Sequence, residues 1–447
     1  MDADSEEAVV PAKIQNVDLN ILQSEVPTET TYLEKNFWLG VVNGVLNTTG
    51  ETLMDPTLVV VAFLSVLTKS PLILGLAVPL RDGAWAFPQF WVSCYVQNIP
   101  NKISIYRKLS YIRIAAWGVL AATVNLVHDP NKLLVAFLVT FTLSSLINGL
   151  GGLPFMEVVG KTIPPNRRGE FFAWRLAAGG LASIGSSVIV RIVLDPAGPL
   201  KFPANYGFLA IVFFISASLA VLAFNGIKET TDSIILPRVS ATLQFRRAVN
   251  SLRENAKYRR FMSMWSLLLI AGVATPFFAV YVQQQLGGSK AMIGVYLGVY
   301  TTTNLLVNVF FGRISAKIGN SKILVIASIC GLVMSLTVLL LSLVAGPLKI
   351  HAETASYLLI PVFVLSGMRT SGIGVSGNSL MLDISPISER ALYVGFTNSF
   401  LGIVLFATGL GGLVINSFGF QALVIITIFA HALALLQGIG LQKSLRH

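Results

Sequence analysis

The chain has 447 residues, 54% hydrophobic and only 12% charged, with a formal net charge of +11 at pH 7. That apolar content, with a mean hydropathy of +0.72, exceeds what one soluble core can bury and excludes a soluble globular protein in favour of an integral membrane protein. The basic balance is not that of a nucleic-acid binder, because no polar basic domain stands outside the apolar runs to form such a surface.

In chain order, residues 1–35 are polar and read as a cytoplasmic tail. The apolar run that follows is too long for the h-region of a cleavable signal peptide, so the first span is expected to stay in the membrane. About 20 apolar residues cross ~30 Å of hydrocarbon. Twelve such stretches follow, near 37–67, 71–95, 109–127, 132–153, 171–193, 207–227, 261–283, 290–312, 322–345, 355–380, 391–416 and 419–440. Alternate loops collect Lys102, Arg107 and Lys108, then Lys161, Arg167 and Arg168, then Arg238 through Arg260, then Arg313, Lys317, Lys322 and Arg390. By the positive-inside rule that side is cytoplasmic, and so are both termini. Cys94 and Cys330 lack the spacing of a metal site or redox pair, and no metal or cofactor is expected.

Two pairs of segments suggest an internal repeat. "LTKSPLILG" (67–75) and "LGGSKAMIG" (286–294) share Leu, Ser and Gly at one spacing, and "PPNRRGEFFA" (164–173) and "PISERALYVG" (386–395) share Pro, an Arg before a small residue, and an aromatic. The offsets, 219 and 222, nearly agree. Six helices repeated in the same orientation follow, as bundles 36–227 and 261–440, with a basic linker 228–260 between them and a tail 441–447. Within the linker, "ATLQFRRAVNSLRENAKYRRF" reads as an amphipathic helix on the cytoplasmic face.

With this 6+6 layout, the basic central loop, "GRISAKIGNSK" (312–322) after span 8 and the Pro-Arg pattern after spans 4 and 10, the chain resembles the major facilitator superfamily over residues 36–440. The resemblance implies an all-α membrane protein of twelve transmembrane helices, arranged as two parallel six-helix repeats around a central cavity. It also implies secondary transport by alternating access, with spans 1, 4, 7 and 10 around the cavity. The sequence departs from the family pattern at Ala316 and Gln97, where the loop motif usually carries an Asp, and in "AAGGLASIGSSVIV" (177–190), which has the glycines of the antiporter motif without its proline.

The charges inside the spans are the functional signal. Glu51 lies about 14 residues, or ~21 Å, into span 1, and Asp55 follows one turn later on the same face. Arg81 and Asp82 in span 2 and Arg369 in span 10 reach similar depth. A charge there costs at least ~2.5 kcal/mol, so these groups must face one another or a wet cavity. Glu51 and Asp55 are the expected coupling groups, able to take and release H+ as the cavity opens to either side, although Na+ could use the same oxygens with Asn47 and Thr48. Arg81 and Arg369 suit a carboxylate or phosphate on a small-molecule substrate. The alternative is a static pair of Arg81 with Glu51, Asp55 or Asp82.

Asn148, Tyr300, Asn304 and Asn398 are further substrate-binding candidates, with weaker claims from Asn43, Asn47, Tyr296 and Asn378; any of these can instead bond across helices. Pro56 and Pro276, near-equivalent in the two repeats, are expected gating bends. Arg168 and Arg390, beside Glu157 and Asp383, are expected gate or fold contacts. Trp85, Trp91 and Trp265 read as packing or interfacial residues. His128, His351, His431 and His447 adjoin no buried carboxylate, and no nucleophile motif or phosphate-binding loop occurs, so an enzyme is not expected.

The expected function is proton-coupled transport of a solute with an anionic group, by a monomer in a bacterial inner membrane. An exporter of amphipathic drugs or lipids, and a non-transporting assembly factor or sensor of the same fold, are the alternatives.

Overall fold

A computed structural model describes residues 29–96, 99–164, 167–229, 240–386 and 389–446, and every regular element among them is helical. Ten helical stretches are long and apolar enough to cross a membrane. Two further passages are broken. Span 2 runs from Pro71–Gly75 through Pro79–Gly83 and Ala84–Ala86 to Gln89–Val96. Span 11 is Arg390–Thr408, resumed at Gly411; the helix Gly411–Arg446 then turns at Gly419 (φ 84°) to become span 12. Glycine tolerates that left-handed φ without penalty. The other spans are 1 (Glu29–Leu53, Pro56–Val60, Val61–Leu67), 3 (Lys102–Leu126), 4 (Pro130–Leu150, Gly152–Thr162), 5 (Arg168–Val193), 6 (Ala204–Asn225), 7 (Ala256–Ile270, Thr275–Gln285), 8 (Met292–Ile318), 9 (Asn320–Val344) and 10 (Ala352–Leu358, Ile360–Ile384).

Several boundaries move relative to the sequence reading. Residues 29–35 of the expected tail begin span 1, residues 256–260 of the expected linker begin span 7, and 441–446 complete span 12. A helix continues past the hydrocarbon when its backbone bonds are the best available, so polarity alone does not mark its end. The amphipathic linker helix is Ala241–Glu254, ended at Asn255, whose side chain caps span 7 by accepting from the Tyr258 amide. Its inner face buries Gln244 and Ala248, Cys94 Sγ donates to Gln244 Oε1 at 3.2 Å, and the Phe245 ring meets Phe90 and Phe396 edge-on or tilted. Residues 230–239 of the linker and Gln97 lie outside the described residues.

Packing follows the repeat. Span 1 packs on 5 and 6, 3 on 4 and 6, and 2 on 4; span 7 packs on 11 and 12, 9 on 10 and 12, and 8 on 10. Adding six to each member of the first set gives the second. Between the halves, span 5 packs on 8 and span 11 on 2, which are again equivalent pairs. A six-span unit returns the chain to its starting side, so the two copies are parallel.

The two ends of the molecule differ. On the side opposite the basic loops, Leu58, Val59 and Phe63 of span 1 share one apolar core with Ala274, Phe277 and Val280 of span 7. On the cytoplasmic side, one cluster (Phe37, Tyr106, Val158, Phe171) belongs wholly to the first half. Another (Tyr258, Phe261, Met381, Tyr393) belongs to the second, joined by Phe90 of span 2. The outer side is therefore sealed by apolar packing between halves that remain separate cores at the cytoplasmic end.

The glycines shared by the first repeat motif make this seal possible. A Cβ on Gly75 would come 3.2 Å from the Gly409 carbonyl of span 11, and one on Gly294 would come 2.4 Å from the Arg191 amide of span 5. Gly294→Val is thus expected to force spans 5 and 8 apart. A cysteine at Thr57 in a background free of native cysteines should then react severalfold faster with an impermeant thiol reagent added from outside, and an unchanged rate would show that the seal does not need this contact.

Candidate functional site

Span 1 stops being an α-helix at the depth of its carboxylates. Pro56 has no N–H to donate, and the chain re-enters helix only because Asp55 caps the new start, its Oδ1 accepting from the amides of Thr57 (3.0 Å) and Leu58 (2.8 Å). The first turn is π-helical, with the Val60 amide reaching back to the Asp55 carbonyl at 2.9 Å. Span 2 has a π turn at Pro79–Gly83 and carries Arg81 and Asp82 on it. Such turns re-aim side chains that a regular helix would hold elsewhere.

Span 7 breaks at the equivalent place, between Ile270 and Thr275, with Pro276 opening the second segment. The break leaves carbonyls at the end of Ala256–Ile270 without helical partners. Arg369 takes one of them, its Nη2 donating to the Leu268 carbonyl. Its Nε donates to His431 Nε2 at 3.1 Å. That nitrogen must then be the acceptor, so the imidazole proton sits on Nδ1, which donates to the Thr427 carbonyl at 2.9 Å.

Between these breaks lies a central cavity of several lobes. A lobe of about 350 Å³ is lined by Asn47, Glu51, Arg81, Asp82, Trp85 and Asn148 among others. A second, of about 310 Å³, meets Asp55, Asp82, Tyr300, Arg369 and Thr370. A third, of about 320 Å³, meets Glu51, Asp55, Arg81, Arg175, Tyr300 and Asn304. Glu51, Asp55, Arg81 and Asp82 each line at least two of the three, so the charged cluster stands where the lobes meet. Arg81 Nη2 lies 3.3 Å from Glu51 Oε1 and Nη1 lies 2.8 Å from Asp82 Oδ1.

The expected residues therefore divide. Glu51, Asp55, Arg81, Arg369, Asn148, Tyr300 and Asn304 all line the cavity, and Pro56 and Pro276 sit at the two breaks. Asn304 is also tied across helices: its Oδ1 accepts from Asn308 Nδ2 at 2.8 Å, and Ser371 of span 10 donates to Asn308 at 2.9 Å. Asn398, on span 11, lines none of these lobes; Leu405, about two turns further along the same face of that helix, lines two of them. Tyr296 is fully buried and donates to the Ser356 carbonyl at 2.9 Å, a packing role. Arg168 makes no ion pair with Glu157 among the described residues; its guanidinium donates to the carbonyls of Ile163 (3.1 Å) and Gly160, closing the end of span 4. Asp383 accepts from Asn320 at 3.2 Å. The Arg390 side chain lies outside the described residues.

Four contributors escaped the sequence reading. Arg175 lines the third lobe and donates to the Gly40 carbonyl and to Asn43 Oδ1 (3.0 Å). Arg113 is buried at 6% exposure. Both lie inside predicted spans, near enough to the basic loops to be taken with them; the signal lay in helix starts at Lys102 and Arg168, which place them about 11 and 7 residues inside. Trp85 faces the first lobe rather than lipid. His431 has no carboxylate beside it, because its partner is an arginine.

Two bundles related by a repeat, broken helices facing across a charged cavity, and a seal at one end are the architecture of a membrane transporter. The chain belongs to the Major Facilitator Superfamily, whose family model matches residues 44–344 and 260–441. It is a multi-pass secondary transporter, not an enzyme.

Among solved structures, a D-xylose–proton symporter superposes with a TM-score of 0.64 at 13% identity, covering 90% of this chain and 97% of that one. A POT family peptide transporter gives 0.64 at 12%, covering 92% and 97%, and an outward-facing bacterial homologue of the iron transporter ferroportin 0.59 at 15%, covering 91% and 99%. At such identities the likeness is one of fold. No curated protein matches the chain in sequence.

Asp55 has two separable roles, as cap and as charge. Asp55→Asn keeps an oxygen for the Thr57 and Leu58 amides, whereas Asp55→Ala removes it at a cost of ~1 kcal/mol. Thermal melts should show the Ala variant clearly less stable than the Asn variant; equal melting points would mean that the cap does not hold the break.

Proposed function

We propose that this protein carries a small solute bearing a carboxylate or phosphate group, coupled to protons. The observation that carries the reading is the imbalance of partners at the cavity wall. Arg81 alone among its arginines is matched by carboxylates, while Arg369, buried at the opposite wall, donates only to a neutral imidazole and a carbonyl. A buried guanidinium without a counter-charge is costly, and an anion delivered by the substrate offsets that cost.

The coupling follows from Glu51 and Arg81. With Glu51 ionised, Arg81 is held between two carboxylates; a proton on Glu51 releases one side of Arg81 to a substrate anion, and loss of that proton draws Arg81 back. Na+ is less favoured, because one Glu51 oxygen faces Arg81 and Asp55 Oδ1 already accepts two amides. The charged walls also oppose an amphipathic cargo, and the paired helix breaks favour a moving transporter over a static assembly factor. One chain encloses the whole cavity, so a monomer suffices.

The test is proton exchange by the solubilised protein, titrated from about pH 5 to about pH 9, beside Glu51→Gln, Asp55→Asn and the double variant. A group titrating in this window and lost in one variant is the expected result. If nothing titrates and the variants lose only thermal stability, the carboxylates are structural partners of Arg81 and the coupling is wrong. In parallel, a panel of small carboxylates and phosphates should raise the melting temperature of the wild type and not of Arg369→Gln; stabilisation that survives in the variant would remove Arg369 from the anion site.

A further inference from the structure

Arg113 in span 3 makes no hydrogen bond and no ion pair among the described residues. It is 6% exposed, its Nε is buried without a partner, and its guanidinium lies over the rings of Tyr106 (5.5 Å) and Trp117 (5.0 Å). Cation–π contact attracts a guanidinium but does not satisfy its N–H groups, and a buried charge with orphan donors is strongly unfavourable. The fold nevertheless makes room for it: a Cβ on Gly151 would stand 2.8 Å from Arg113 Nη1, so the kink between the two segments of span 4 is kept clear for this side chain.

The vacant donors border a separate lobe. A space of about 170 Å³, opening beside Glu51 and Asn47, is lined by Arg113, Arg175, Asn43, Asn148 and Trp85. Every one of these groups comes from the first half of the molecule. The donors are in excess there: Arg175 gives hydrogen bonds only to the Gly40 carbonyl and Asn43 Oδ1, and the single carboxylate at the lobe, Glu51, already pairs with Arg81. Along span 1 the lobe lies on the cytoplasmic side of the charged cluster, since Asn43 precedes Glu51 by about two turns.

We infer that Arg113 and Arg175, with the Asn148 amide, form a second oxyanion-binding subsite in the first half of the transporter, cytoplasmic to the central cavity and specific for a carboxylate or phosphate group; Asn43, whose Nδ2 donates to the Ala220 carbonyl and whose Oδ1 accepts from Arg175, holds Arg175 in place. It receives the anionic group of the solute on the cytoplasmic side, and Trp85 offers an aromatic wall to the remainder. The inference rests on the anionic-solute reading above but uses different residues, so the two can fail separately.

Equilibrium binding of radiolabelled inorganic phosphate to the delipidated full chain in neutral detergent is the experiment, with Arg113→Gln, Arg113→Lys, Arg369→Gln and Gly151→Leu beside the wild type. Saturable binding is expected, weakened by at least about tenfold in Arg113→Gln and retained in Arg369→Gln. Arg113→Lys should fall between, because an ammonium keeps the charge but not the fork. Gly151→Leu, which fills the space of the guanidinium while leaving every charge in place, carries the same expectation as Arg113→Gln and decides the matter should that variant not fold. Binding lost only in Arg369→Gln, or lost equally in Arg113→Gln and Arg369→Gln, overturns the subsite and leaves the central anion site standing. Absence of phosphate binding in the wild type overturns the subsite, while the central anion site is judged by the panel of carboxylates and phosphates. Adding phosphatidylglycerol tests the other source of the same chemistry: a chain that takes the lipid and not free phosphate has a headgroup site, and the solute subsite is wrong.

Discussion

Hydrocarbon does not solvate charge, and Glu51, Asp55, Arg81, Asp82, Arg113, Arg175 and Arg369 nevertheless stand within the spans of this protein. The Arg81 ion pairs with Glu51 and Asp82 are where that constraint is met most directly. Carboxylates from span 1 and a cation from span 2 can coexist at that depth only if the helices enclose polar space, so the cavity and the charges require each other. The apolar seal above them does the complementary task, since Leu58, Phe63, Phe277 and their neighbours keep the outer solution from the charges while the cytoplasmic ends form separate cores.

The breaks in spans 1 and 7 show one device used twice with opposite signs. A helix interrupted in a membrane exposes amides on one side of the break and carbonyls on the other. In span 1 the exposed amides of Thr57 and Leu58 are satisfied by a carboxylate, Asp55; in span 7 the exposed carbonyl of Leu268 is satisfied by a guanidinium, Arg369. Each sign matches the partial charge of the helix end it meets. Both capping groups also face one lobe of the cavity, so a ligand that draws on either acts on the bend as well. That is a physical route from binding to rearrangement, with Pro56 and Pro276 ensuring that neither helix can heal across its break.

The equivalence of the halves is closest at their contacts. Gly75 and Gly294, matched in sequence, occupy matched places where span 2 meets 11 and span 8 meets 5. The chemistry diverges: the first half holds Glu51, Asp55, Arg81, Asp82, Arg113 and Arg175, while the second contributes Arg369 with Tyr300 and Asn304. The scaffold is symmetric where the two halves pack on each other, and asymmetric at the charged wall of the cavity.

Composition, span lengths, loop charges and the two repeat motifs determined by themselves that the chain spans a membrane as two parallel bundles, because burial in lipid imposes length and polarity rules that act locally along a helix. The depths of Glu51, Asp55, Arg81 and Arg369 were legible for the same reason, being residue counts multiplied by a fixed rise. Tertiary structure alone decided the partners. That Arg369 meets His431, that Arg168 closes its own helix end rather than pairing with Glu157, and that Arg113 is left with aromatic faces and no hydrogen bond depend on the rotation of each helix about its axis. That rotation is set by packing against neighbours distant in sequence, and at Pro56–Val60 and Pro79–Gly83 by π turns that shift the register of every side chain beyond them.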